Sequence, residues 1–167
     1  WINFRLDLRG VPFKTWINLG ECMSKYEHIA GTPLRPGVRE ELHYLYLAKG
    51  VQATTAIEGN TLTVEEVRQR IENKLTVPPS REYLAQEVDN IVTACNLIGR
   101  RVLDGEDPPL SRILMGEYNS IVLDKLPLPE HVTPGQLRKD VVGVGTYRAP
   151  SPETVPLLMD RLCEWLN

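Results

Sequence analysis

Residues 51–66 read VQATTAIEGNTLTVEE. The first half completes a helix: Val38, Leu42, Leu45, Ala48 and Val51 recur at helical spacing after Pro36-Gly37, and the pattern carries to Ile57-Glu58 before Gly59 stops it. The second half starts another, because Thr63-Val-Glu-Glu66 is a capping box that predicts a helix to about Lys74. Glu58 stands out between them. An anion in the last turn faces the negative end of the helix macrodipole and is disfavoured by roughly 0.3–1 kcal/mol. No basic residue lies within four positions of it. Either the side chain points into water or its counter-charge comes from elsewhere in the protein. Thr54, four residues earlier, shares its face and can hydrogen-bond to it or help shape one surface.

Outward from this stretch the chain stays helical. Residues 13–30 predict a helix ended by Gly31 and Pro33, while Ile2 to Leu8 alternate and predict a short extended segment over 1–9. Pro78-Pro79 breaks the chain and Ser80 is placed to cap the next helix. That helix carries Leu84, Val88, Ile91, Cys95, Ile98 and Val102 as a core stripe and ends at Asp104-Gly105. A further helix over about 110–125 turns Leu114, Tyr118, Ile121 and Val122 inward. After a loop over 127–137, RKDVVGVGTYR at 138–148 predicts a small hairpin. Ser151-Pro152-Glu153 then starts a last helix that buries Val155, Leu158, Leu162 and Trp165 or Leu166. The expected architecture is mainly α, a helical domain with one β-hairpin.

Composition sets outer bounds. The chain has 167 residues, 42% hydrophobic and 25% charged, enough for one core. Its net charge of −3 implies no broad face for nucleic acid, and Arg100-Arg101 reads as a solvated helix face. Cys22, Cys95 and Cys163 are odd in number and far apart, which argues against a disulfide framework and points to a reducing cytoplasm. His28, His43 and His131 show no ligand spacing, so no metal site is expected. No run approaches a membrane span. The chain opens on Trp1, has no methionine before Met23 and keeps a helical pattern to Asn167, so it reads as part of something longer.

No catalytic set is visible. Gly143 and Gly145 lack the third glycine, lysine and following helix of a phosphate loop. They fit a hairpin whose open edge could take an added strand from a partner, or one that is purely structural.

TTAIEGNTLTVEEV resembles the inhibitory helix of Fic-domain proteins, whose pattern is Ser or Thr, three residues, then Glu and Gly or Asn; Thr54, Glu58, Gly59 and Asn60 carry the match. Pro134-Gly135-Gln-Leu-Arg138, the hairpin and PETVPLLMDRLCEWLN resemble the family's target-docking flap and following helix. The resemblance runs from about residue 38. It implies an N-terminal extension over 1–36, and over 37–167 the N-terminal part of a Fic-like domain that stops before the catalytic motif. That motif, His-Pro-Phe-x-x-Gly-Asn-Gly-Arg-x-x-Arg, has no counterpart here, since no His-Pro pair occurs.

What the family does with these parts is transfer of AMP from ATP to Ser, Thr or Tyr hydroxyls of a target protein. The resemblance implies ATP and Mg²⁺ as cofactors of the parent protein and none for this chain alone, which is expected to be inactive. Glu58 would pair with an arginine of the absent motif. Val141, Val142, Gly143, Val144, Gly145, Thr146 and Tyr147 would form the docking flap. The implied partners are the rest of the catalytic core and a target segment at the flap; no membrane or nucleic acid is among them, and a homo-oligomer stays open. The alternatives are an antitoxin-like regulator that inserts Glu58 into a separate Fic chain, against which the hairpin argues, and a plain helical interaction module.

Overall fold

The computed structural model describes residues 7–167. Among them run α1 Phe13–Ala30, α2 Pro36–Ile57, α3 Val64–Ile71, α4 Glu82–Leu103, α5 Arg112–Val122, the strands β1 Gly143–Val144 and β2 Tyr147–Arg148, and α6 Val155–Leu166. This is the mainly helical architecture with one antiparallel hairpin that the sequence pattern predicts. Two compact units meet in sequence at Leu42 and His43, inside α2.

In the first unit, the extended segment expected over 1–9 lies outside the described residues except for its last three. There Asp7 Oδ1 accepts the Arg9 N–H at 3.0 Å, and Leu8–Gly10 curls into a 3-10 turn. A local side-chain acceptor displaces the extended backbone. Helix α1 matches its predicted bounds and leaves Phe13, Trp16, Met23 and Tyr26 exposed.

The second unit holds the core. Ala48 and Val51 of α2, Leu62, Val67 of α3, Val77, and Leu84, Ala85 and Val88 of α4 bury one another. Fully burying Val51, Leu62, Val67 and Val88 contributes about 1.5–3 kcal/mol each. The capping box closes as predicted: Glu66 N–H donates to Thr63 Oγ1 at 3.2 Å and Thr63 N–H to Glu66 Oε2 at 2.8 Å.

Several boundaries differ from expectation for local reasons. Helix α3 ends at Ile71, not near Lys74, because Asn73 turns left-handed (φ 57°) and Lys74 N–H reaches back to Gln69 O at 2.7 Å. Ser80 caps nothing; it sits inside a 3-10 turn, Pro79–Arg81, that runs directly into α4. Ser151 likewise offers no side-chain cap, and a 3-10 turn, Pro152–Thr154, precedes α6. In α6 the buried side chain is Cys163, while Trp165 and Leu166 are exposed.

The predicted stripe of α4 is buried only in its first half. Leu84 and Val88 are in the core, but Cys95 is exposed, Ile98 is 43% exposed and Val102 68%. A four-three repeat drifts about 20° per heptad on a straight helix, so the stripe rotates off the face that the core covers. The buried face is Leu84, Ala85, Val88, Asn90 and Ala94.

Polar side chains join α4 to its neighbours. Arg70 of α3 grips Asp89 at 2.6 Å, and buried Asn90 donates to Val122 O and Asp124 O at the end of α5. Arg101 is no solvated face: it donates to Glu117 Oε1 at 2.7 Å and Tyr118 Oη at 3.2 Å. Those bonds raise its pKa above the ordinary arginine value, Glu117 contributing most. Helix α6 packs on α5, where Arg112 meets Asp160 at 3.0 Å.

The loop before the hairpin crosses α5 at two glycines. Gly135, at φ 77°, donates its N–H to Asn119 Oδ1 at 2.9 Å, and a Cβ on Gly116 would lie 2.8 Å from Gly135 O. Alanine normally favours a helix by about 1 kcal/mol over glycine. Here the backbone contact reverses that sign, since overpacking costs about 1–3 kcal/mol. Gly116→Ala is therefore expected to lower Tm by a few degrees in thermal unfolding.

The capping box also gives a pH dependence. The Thr63 N–H and hydroxyl, helped by Arg81, hold the Glu66 carboxyl below its ordinary value of 4.5. The folded value lies below the unfolded one, so this stability is fully present above the unfolded pKa and is lost as pH falls through the folded one. Urea midpoints measured from about pH 6 to about pH 3 should fall less steeply in Glu66→Gln than in the parent chain.

Candidate functional site

Helix α2 ends in a Schellman motif. Gly59 N–H donates to Ala56 O and Asn60 N–H to Thr55 O, both at 3.1 Å, with Gly59 at φ 92°. Ile57 is the last helical residue, which makes Glu58 the C-cap, one position beyond the predicted last turn. The carboxylate of Glu58 is exposed and makes no hydrogen bond or ion pair among the described residues. Thr54 does not bond to it; the Thr54 hydroxyl donates back to Gly50 O at 2.9 Å. Both residues nevertheless line one cleft.

That cleft has a volume of about 580 Å³. Thr54, Thr55, Ile57 and Glu58 form one wall, Glu87 and Ile91 of α4 another, and Val122, Leu123 and Leu126 close it from the end of α5. Its walls are mostly apolar, and among the described residues its two charged lining groups are both carboxylates and no basic side chain lines it. Apolar walls exclude water and strengthen any charge pairing formed inside. The arrangement is suited to receive a cationic group.

Asn60 fixes the turn. It is 6% exposed; its Nδ2 donates to Leu84 O at 2.9 Å and Glu87 Oε2 at 2.8 Å, and its Oδ1 accepts the Leu62 N–H at 2.9 Å. The sequence places Asn60 in the motif but gives no sign of Glu87, which is 27 positions away.

The hairpin is shorter than the predicted flap. Only Gly143 with Arg148 and Val144 with Tyr147 pair, across a turn at Gly145 (φ 59°) and Thr146. Val141 lies outside the ladder, and Val142 O accepts the Ala149 N–H at 2.9 Å just below it. Residues 141 to 147 are all exposed. Arg138 ties the base together by donating to Asp140 O on one arm and Pro150 O on the other. Below it, α5, residues 134–138 and α6 enclose a larger cleft of about 1020 Å³ that includes Gly116, Leu137 and Met159. Arg138 and Gly116 have roles here that spacing did not reveal.

Among the described residues no group of three or more His, Cys, Asp or Glu side chains converges to hold a metal, and no helix is long and apolar enough to cross a membrane.

The described residues thus form a mainly helical domain with an acid at a helix end beside a cleft and a small hairpin later in the chain. No family model matches the chain. It is 27% identical to protein adenylyltransferase fic-1 of Caenorhabditis elegans over 147 residues, 88% of this chain and 28% of that protein. It is 30% identical to protein adenylyltransferase Fic of Drosophila melanogaster over 117 residues, 68% of this chain and 22% of that protein. The crystal structure of a Fic family protein from Desulfovibrio desulfuricans G20 superposes with a TM-score of 0.64 at 26% identity, over 88% of this chain and 42% of that one. The chain is thus homologous to Fic-family adenylyltransferases, and it spans less than a third of the length of these curated relatives.

The left-handed turn after α2 gives a direct test of the local geometry. A Cβ at Gly59 meets nothing within 4 Å, so the cost of Gly59→Ala is conformational alone, about 1–2 kcal/mol at this φ. Chemical denaturation should show the midpoint falling with an unchanged m-value.

Proposed function

We propose that this chain is the autoinhibitory and target-docking portion of a protein adenylyltransferase that moves AMP from ATP to a hydroxyl of a target protein. The observation that carries the reading is Glu58: an exposed carboxylate at the negative end of α2, on the wall of a cleft lined, among the described residues, by acids and mostly apolar side chains and by no base. Its counter-charge is an arginine of the catalytic core. Such a charge-assisted contact contributes about 1.5–3 kcal/mol.

Held by Glu58, that arginine is withheld from the nucleotide's γ-phosphate. ATP with Mg²⁺ supplies the AMP, and the groups that bind it and activate the hydroxyl belong to the core, since this chain has no His-Pro-Phe motif. The hairpin contributes alignment. Its exposed outer edges can accept a target segment as an added strand, and Arg138 keeps its two arms together at the base.

The test is AMP transfer by the protein that contains both this segment and the core. Glu58→Gly should raise the initial rate about 10–100-fold, the equivalent of the contact removed. The 167-residue chain by itself should transfer nothing. An unchanged rate in Glu58→Gly would overturn the reading.

A further inference from the structure

Glu58 is joined to the rest of the fold on one side by α2 and on the other by Gly59, the residue with the greatest backbone freedom in the turn. What stops the turn from swinging is the next residue. Asn60 uses all of its amide: both Nδ2 hydrogens are committed, to Leu84 O and to Glu87 Oε2, and Oδ1 holds the Leu62 N–H. Leu84 and Leu62 are core residues, so two of these three anchors are rigid. The third, Glu87, is different. It is only half-buried and, unlike Leu84 one turn earlier on α4, lines the same cleft as Glu58.

We propose that Glu87, acting through Asn60, is a latch that positions Glu58, so that the inhibitory contact can be released by loosening this turn at its cleft side, with Glu58 itself intact and the Leu84 anchor kept. The inference rests on the reading of Glu58 as the inhibitory group. The bond from Asn60 to Glu87 is charge-assisted, the stronger kind, and it is the one that an incoming cation reaches first, because Glu87 lines the cleft and Leu84 does not. The neighbouring anchors to Leu84 O and Leu62 N–H lie in the interior and do not respond to what enters the cleft. Glu87 is a positioning residue and takes no part in the transfer.

The experiment measures AMP transfer by the protein with segment and core, in the parent and in Glu87→Ala, Glu87→Gln, Glu58→Gly and the Glu58→Gly/Glu87→Ala double variant. Glu87→Ala should raise the rate about tenfold, as loss of one charge-assisted bond implies. Glu87→Gln keeps an acceptor oxygen for Asn60 and should retain most of the inhibition. The double variant should match Glu58→Gly within about twofold.

Each failure has its own meaning. If Glu58→Gly leaves the rate unchanged, the inhibitory reading falls and the latch with it. If Glu58→Gly activates and Glu87→Ala does not, the latch alone is overturned. A rate that falls on adding Glu87→Ala to Glu58→Gly marks a general structural role and also overturns it. Amide hydrogen exchange supplies a second readout: Glu87→Ala should speed exchange at Asn60 and Leu62 and leave Val67 and Val88 protected. Uniform loss of protection would contradict the latch.

Discussion

The side-chain amide of Asn60 is the contact on which the site depends. It ties the turn after α2 to α4 through Leu84 O and Glu87, and it holds Leu62 in place for the core. A buried amide left without these partners would cost about 1–3 kcal/mol for each unmet group. Its satisfaction therefore fixes both the direction in which α2 ends and the wall on which Glu58 stands. The acid at the helix end is locally unfavourable, and the geometry that keeps it there is tertiary.

Helix α4 is the common support. Arg70 reaches Asp89 from α3, Asn90 donates to carbonyls at the end of α5, and Arg101 reaches Glu117 in the middle of α5. These contacts set the cleft beside Glu58, since three of its lining residues come from the end of α5 and the turn after it. Surface ion pairs of this type add little stability one at a time. Their value here is in register: each joins one position of α4 to one position of a neighbour.

The hairpin is held differently. It has no buried side chain and only two residue pairs, and an isolated hairpin of that size is marginal in water. Arg138 bridges its base through two backbone carbonyls, and the preceding loop is pressed onto α5 where Gly116 meets Gly135. A fixed base with an unencumbered tip suits a surface that pairs with another chain's backbone.

Much of this was legible in the residues because it is local. Thr63 and Glu66 announce the start of α3, Gly59 the end of α2, and the glycines at 143 and 145 the hairpin, each through backbone constraints that act within a few positions. Local competition could still shift a boundary, as at Asn73 and Ser80. The α4 stripe misled for another reason: a four-three repeat drifts around a straight helix, so its second half turns off the face that α5 still covers at Arg101, and Ile98 and Val102 lie exposed. The sequence by itself determined the order of helices, the hairpin and the placing of an acid beside a glycine. Only the tertiary structure decided that Glu87 meets Asn60, that Gly116 lies under Gly135 and that Glu58 borders a cleft shared with Glu87, because those pairings join residues far apart in the chain and depend on packing rather than on any local preference.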